Sequence, residues 1–281
     1  MSTYILPFEK MHGLGNDFII LEHRNLPNGV DEQKLAKILC NRNLGIGADG
    51  IIIVDFSTNR ESDFTWRYYN CDGSEAQMCG NGMRCFAKYV FERGFTDNAS
   101  FTVLTKAGII TPKIEEDGEV TVNMGRPKLP DQIKQNITID LKTYTYTYIE
   151  VGNPHCVIFL DYEIGEQEFY KYGPAIEKHS NFPFGVNVEF SRIINNKLIN
   201  CRVWERGCVP TLACGTGACA VLLAASINGF VDNNAVIQLP GGDLNIFWDK
   251  DSNNVFLKGP ATFIYTGQYN LDPAHVYKSL V

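Results

Sequence analysis

Two tetrapeptides, Cys79-Gly80-Asn81-Gly82 and Cys214-Gly215-Thr216-Gly217, recur 135 positions apart in a chain of 281 residues. An internal repeat of so long a period marks a duplicated unit. The same offset lays Trp66-Arg67-Tyr68-Tyr69-Asn70 on Cys201-Arg202-Val203-Trp204-Glu205, and Gly50-Ile51-Ile52-Ile53 on Gly185-Val186-Asn187-Val188. These paired segments have the alternating, β-prone character of strands. Towards the ends the register drifts as insertions would make it. Gly15-Asn16 matches Gly152-Asn153 at 137, and Met124-Gly125-Arg126-Pro127 matches Lys258-Gly259-Pro260 at 134.

Each Cys-Gly-x-Gly is followed by helix-forming sequence. Met83 to Phe91 places apolar residues three and four apart, the spacing of a helix with one buried face. Ala218 to Ile227 is apolar all round, so that helix must be enclosed. Short enclosed helices in β-rich surroundings predict an α/β chain of the α+β type. It has two pseudo-symmetric lobes, each a curved, mostly antiparallel sheet wrapped around a central helix. The expected division is an N-terminal lobe of residues 1–124 and a C-terminal lobe of residues 125–264, joined near Gly125 to Pro130. Equivalent loops of two such lobes are expected to face a common cleft.

Composition narrows the function. The formal net charge is −7, with no long basic run, so nucleic acid is not an expected partner. No apolar stretch approaches the roughly 20 residues that span a bilayer, and the N-terminus is not expected to be a signal peptide. A cytoplasmic protein is therefore expected, and a homodimer is compatible with the sequence. Nine cysteines without an export signal argue for reduced thiols rather than a disulfide framework. Cys71, Cys79 and Cys85 lack the paired spacing of structural zinc sites, and no metal is expected. Cys85 and Cys219 fall inside the helices and are expected in the core, and Cys40, Cys71, Cys156, Cys201 and Cys208 are read as structural. Gly45-x-Gly47-x-x-Gly50 copies a dinucleotide fingerprint but precedes a strand, where the fingerprint should follow one and open a helix.

The repeated motif itself carries chemistry. A cysteine at a helix start sits beside unpaired backbone N–H groups and the positive end of the helix dipole, which favour an anion and a thiolate. Two such cysteines facing one ligand provide what inversion at the α-carbon of an amino acid needs. One sulfur removes the proton from one face, the other returns a proton to the opposite face, and aligned N–H groups stabilise charge building on the adjacent carboxylate. Cys79 and Cys214 are therefore the candidate acid/base pair of a cofactor-independent epimerase.

The chain also resembles a known family along almost its whole length. Gly13-Leu14-Gly15-Asn16-Asp17-Phe18, Gly45-Ile46-Gly47-Ala48-Asp49-Gly50, Tyr69-Asn70-Cys71-Asp72-Gly73-Ser74-Glu75 and Cys79-Gly80-Asn81-Gly82-Met83-Arg84-Cys85 are similar to blocks of the diaminopimelate epimerases. So are Gly152-Asn153-Pro154-His155-Cys156, Val186-Asn187, and Glu205-Arg206-Gly207 followed by Thr211 and Cys214-Gly215-Thr216-Gly217. The resemblance implies interconversion of L,L- and meso-diaminopimelate without pyridoxal phosphate or metal, in lysine and cell-wall precursor synthesis. It implies the same two-lobe fold, with residues 265–281 returning to the first lobe. By the family's convention Cys79 is the donor and Cys214 the acceptor in one direction, with His155 and Glu205 assisting. Gly80-Asn81 and Gly215-Thr216 would hold the reacting carboxylate. Asn16, Asn70, Asn153, Asn187, Glu205 and Arg206 would bind the remaining polar groups, Arg206 as a bidentate partner of the distal carboxylate.

Two departures from the family pattern stand out. Gly207-Cys208-Val209-Pro210-Thr211 lacks a second glycine and gains a proline, which should stiffen the loop before Cys214 and sets the extra thiol of Cys208 near the site. Gly50 stands where some members carry a substrate-binding glutamine. A related racemase acting on proline or hydroxyproline, or a non-catalytic binding protein on the same fold, is a rival reading. Glu205-Arg206 with the asparagine set favours a substrate with a second amino-acid end, and retention of both cysteines favours catalysis.

Overall fold

A computed structural model describes residues 4–58, 60–207, 210–272 and 276–277. The chain divides into two compact units, Met1–Val122 with Pro260–Val281, and Asn123–Gly259.

The first unit opens with the hairpin β1 (Tyr4–Gly13) and β2 (Asn16–Glu22). Its two-residue turn, Leu14-Gly15, has positive φ at both positions, as a tight hairpin turn requires. Helix α1 (Glu32–Cys40) crosses to β3 (Gly50–Phe56), which lies parallel to β2. Asp31 caps α1 by accepting from the Gln33 and Lys34 amides, relieving two unpaired donors. Strand β4 (Phe64–Asn70) returns antiparallel. Helix α2 (Gly80–Glu92) then crosses to β5 (Val103–Thr105), parallel to β4 and followed by β6 (Gly108–Ile110). The short strands β7 (Lys113–Ile114) and β8 (Val120–Asn123) come next. The chain's last strand, β17 (Thr262–Leu271), pairs antiparallel with β1, so the sheet order is β17-β1-β2-β3-β4-β5-β6. His12 faces Thr262 at the start of that pairing.

The second unit repeats this plan. Its strands are β9 (Gln135–Ile139), β10 (Lys142–Glu150), β11 (Pro154–Phe159), β12 (Asn187–Asn195), β13 (Leu198–Trp204), β14 (Asn234–Leu239), β15 (Gly242–Asp249) and β16 (Asn254–Gly259). They run in the order β16-β15-β14-β13-β12-β11-β10-β9. Helix α3 (Glu166–Glu177) makes the crossover that leaves β11 and β12 parallel, and α4 (Gly215–Ile227) the one that leaves β13 and β14 parallel. Within each sheet the two crossovers account for the only parallel pairs among the described strands, since a parallel neighbour requires a long crossover.

The two helices that follow Cys-Gly-x-Gly lie at the centre of their units. Helix α4 packs against β10 to β16, and Ala218 to Ala225 are buried without exception, as the all-apolar pattern requires. Helix α2 packs against β1, β2 and β3 with Met83, Cys85, Phe86, Ala87 and Val90 fully buried. Cys85 and Cys219 are buried as expected, and so are Cys40, Cys156 and Cys201. Cys71 is exposed, on the turn that follows β4. Cys208 and Val209 lie outside the described residues.

Candidate active site

In the first unit the site is built where α2 meets the β1–β2 turn. Cys79 is the N-cap of α2, with extended backbone (φ −144°, ψ 116°), and its sulfur accepts the Gly82 N–H at 3.4 Å. The thiol is thus held against the helix start by the helix's own donor. The Cys79 Sγ also lies 3.8 Å from Asn16 Oδ1. Asn16 Nδ2 donates to Asp49 Oδ2 at 2.8 Å, Asn81 Nδ2 donates to Asn16 Oδ1 at 3.2 Å, and Arg84 Nη1 donates to Asn81 Oδ1 at 3.0 Å. A carboxylate at one end and a guanidinium at the other leave each amide only one orientation. Arg84 is fully buried and also donates to the Pro260 carbonyl at 3.0 Å. It passes so close to β1 that a Cβ on Gly13 would sit 2.8 Å from its Nη2. Asp49 is anchored in turn by Arg42, which also grips both oxygens of Asp17. Asn70 ends β4, pairs with Gly50, and donates through Nδ2 to Ser74 Oγ at 3.0 Å.

Gly50 explains one departure from the family pattern. A Cβ there would lie 2.5 Å from the Tyr68 ring and 2.6 Å from the Tyr69 carbonyl oxygen. The Tyr68 ring and the Tyr69 carbonyl leave no room for a side chain at this position.

In the second unit Cys214 is the N-cap of α4 (φ −117°, ψ 110°), is 7% exposed, and has Thr216 Oγ1 at 3.5 Å from its sulfur. Burial first, then the Glu205 and Glu189 carboxylates, push its thiol well above the usual cysteine range. Gly217 fits between these groups: a Cβ there would meet Glu189 Oε1 at 2.9 Å and Cys214 Sγ at 3.3 Å. Glu205 accepts from the Thr211 hydroxyl. His155 is fully buried, its Nδ1 2.7 Å from Glu189 Oε1 and its Nε2 2.9 Å from Asn153 Oδ1. Asn187 is a brace: its Oδ1 accepts the Arg206 N–H at 3.0 Å and its Nδ2 donates to the Pro154 carbonyl at 2.9 Å. Glu177 clamps the start of the same loop, taking the Gly207 N–H and the Trp204 indole N–H, both at 2.8 Å. Asn153 and Arg206 border a cavity of about 460 Å³ that Tyr148, Phe182 and Phe184 also line. Among the described residues no cluster of three or more His, Cys, Asp or Glu side chains is disposed to hold a metal.

The model of the family described as diaminopimelate epimerase matches residues 8–130 and 147–264. The chain belongs to the diaminopimelate epimerase family. The diaminopimelate epimerase of Desulforapulum autotrophicum is 45% identical, over 95% of this chain and 99% of its own length. That of Natranaerobius thermophilus is 41% identical over 94% and 98%. The chloroplastic diaminopimelate epimerase of Oryza sativa subsp. japonica is 41% identical over 95% of this chain and 80% of its own length. The same fold is seen in the crystal structure of a hydroxyproline epimerase from Agrobacterium vitis, at a TM-score of 0.74 and 13% identity, over 97% of this chain and 94% of that one. Methylitaconate-delta-isomerase shares it at 0.69 and 13%, over 100% and 99%.

Of the residues expected at the site, the structure brings Asn16, Cys79 and Asn81 into one contact network and sets Asn153 against His155. Asp49, Arg84, Glu177 and Glu189, which had no expected role, hold the same networks in place. A charged residue inside an otherwise buried run, as Arg84 is in α2 and Glu189 in β12, was the available signal.

Proposed function

We propose that this diaminopimelate epimerase family member interconverts L,L- and meso-2,6-diaminopimelate by a two-base mechanism in which Cys79 and Cys214 address opposite faces of one α-carbon. The observation that carries the proposal is that both cysteines hold the same structural position, the N-cap of the enclosed helix of their unit. In one direction a thiolate removes the α-proton while the thiol of the other cysteine protonates the opposite face. The two sulfurs end with their proton states exchanged, ready for the reverse reaction. The charge released by C–H cleavage passes to the adjacent carboxylate, which the backbone N–H groups at Gly80-Asn81 and Gly215-Thr216 would receive at two helix starts.

Arg206 suits the distal carboxylate, since its guanidinium can bind a carboxylate bidentately. Glu205 suits an ammonium group as well as a catalytic role beside Cys214. Asn16, Asn70, Asn153 and Asn187 supply neutral donors and acceptors to the remaining polar groups, and His155 supports the site through Asn153. The proposal includes the two-lobe division, residues 1–124 with 265–281 against residues 125–264, a cleft between the lobes as the site, a cytoplasmic location, and assembly as a homodimer. It calls for no cofactor.

The test is exchange of the α-hydrogen of L,L-diaminopimelate for solvent deuterium by fully reduced protein without added cofactor. A panel including proline and hydroxyproline separates the substrates. Exchange confined to diaminopimelate supports the proposal. Exchange confined to proline-like acids would overturn the substrate while leaving the chemistry in place.

A further inference from the structure

Glu189 is a buried carboxyl that the proposed reaction does not use. It lies on β12, fully enclosed, with Oε1 2.7 Å from His155 Nδ1. Among the described residues its Oε2 has no hydrogen-bond partner. The titratable groups around it are His155 and Cys156 from β11, Cys201 from β13 and Cys214 at the start of α4. An isolated carboxylate in such surroundings is strongly disfavoured, and an orphaned oxygen is less costly on a neutral acid than on an anion. Burial raises the Glu189 pKa, against the opposing effect of His155.

We infer that Glu189 and His155 share one proton across their 2.7 Å contact and that Glu189 is thereby a positioning residue for Asn153. The proton can sit on Oε1 or on Nδ1. In both arrangements the pair has no net charge, and in both the second ring proton is on Nε2. His155 Nε2–H therefore always donates to Asn153 Oδ1, 2.9 Å away. With its oxygen committed to His155, the Asn153 amide has Nδ2 left to donate, and Asn153 lines the cavity bordered by Arg206, where such a donor suits a carboxylate. Without Glu189 the ring is free to adopt the tautomer with a bare Nε2. That nitrogen would accept from Asn153 Nδ2 and reverse the amide, presenting an acceptor to the same carboxylate.

The link to substrate rests on Asn153 as a substrate-binding residue, as proposed above, but the proton arrangement does not. The first experiment is therefore nitrogen NMR of the full-length wild-type protein labelled in its five histidines, with His155 assigned by its loss in His155→Gln. The expected result is a neutral-tautomer nitrogen pattern with the proton on Nε2, the nitrogen that faces Asn153. A His155 ring that carries no proton on Nε2 overturns the inference whether or not the protein epimerises anything.

The second experiment is kinetic. In Glu189→Gln the side-chain amide can donate to Nδ1 and keep Nε2–H in place, so KM and kcat should stay within about threefold of wild type. Glu189→Leu should raise KM about tenfold or more, as loss of a hydrogen bond to a charged group does, with kcat much less affected. A Leu variant of unchanged KM refutes the positioning role. If that variant does not fold, the wild-type ring measurement alone decides.

Discussion

The carboxylate of Asp49 takes the Nδ2–H of Asn16 at 2.8 Å, and this one bond decides which end of the Asn16 amide meets Cys79. Arg84 does the same for Asn81 from the other side. The result is a polarised series, carboxylate to amide to amide to guanidinium, with the Cys79 sulfur beside the middle acceptor. Replacing Asp49 by Asn removes the anionic end and lets the Asn16 amide reverse. Asp49→Asn should lower kcat/KM for α-hydrogen exchange by about 10- to 100-fold, the order of a lost charge-assisted hydrogen bond. Thermal stability should change little, because the Arg42–Asp49 pair is exposed and worth under about 1 kcal/mol. Wild-type kinetics in the variant would show that the orientation of Asn16 is immaterial.

The two cysteines are expected to be individually indispensable. Cys79→Ala and Cys214→Ala should each reduce epimerisation by at least about 10²- to 10⁴-fold, the contribution of a positioned acid or base. Circular dichroism should stay native, since each change removes a single sulfur from a helix cap. Appreciable turnover in either variant would mean that the reaction needs only one sulfur.

Cys214 should be a reluctant nucleophile in the unliganded protein, because burial, then the Glu205 carboxylate, hold its proton on. Removing that negative charge lowers the thiol pKa, so at a fixed pH the thiolate fraction rises. Glu205→Gln should therefore accelerate iodoacetamide labelling of Cys214, read by peptide mass spectrometry, by severalfold at about pH 8. Slower or equal labelling at that residue would show that access, not charge, limits it.

Much of this arrangement was legible in the residues, and the unread parts have physical reasons. The duplication could be read because Cys-Gly-x-Gly meets a strict local demand in both units: Gly82 and Gly217 have no room for a Cβ against Trp66 and Glu189. The enclosed α4 could be read because its apolar residues surround the helix. The parallel pairs β2–β3 and β11–β12 were not read, since their crossover helices leave weak marks. In α3, Pro174 interrupts the helical pattern. Glu189 escaped assignment because its partner His155 is distant in sequence, and Arg84 because the Pro260 carbonyl that helps to hold it is also distant. Only the folded sheet brings such groups within hydrogen-bond reach.

Asp17 ties the pH dependence of stability to the same corner of the first unit. Burial would raise its pKa, but hydrogen bonds and charge from Arg42 and Lys10 bring it down to about 2. The unfolded value is about 3.9, so the folded state binds the proton less readily. The stabilisation is therefore fully present above about pH 4 and is lost as pH falls towards about 2. Lys10 is itself buried and also donates to the Gly47 carbonyl, so protonating Asp17 leaves a buried ammonium without its anion. Wild-type protein should lose denaturation resistance steeply through that acid window. Asp17→Asn should be less stable at neutral pH and show a shallower acid slope, measured by urea midpoints at several pH values. Parallel stability–pH curves for the two proteins would show that Asp17 does not couple protonation to folding.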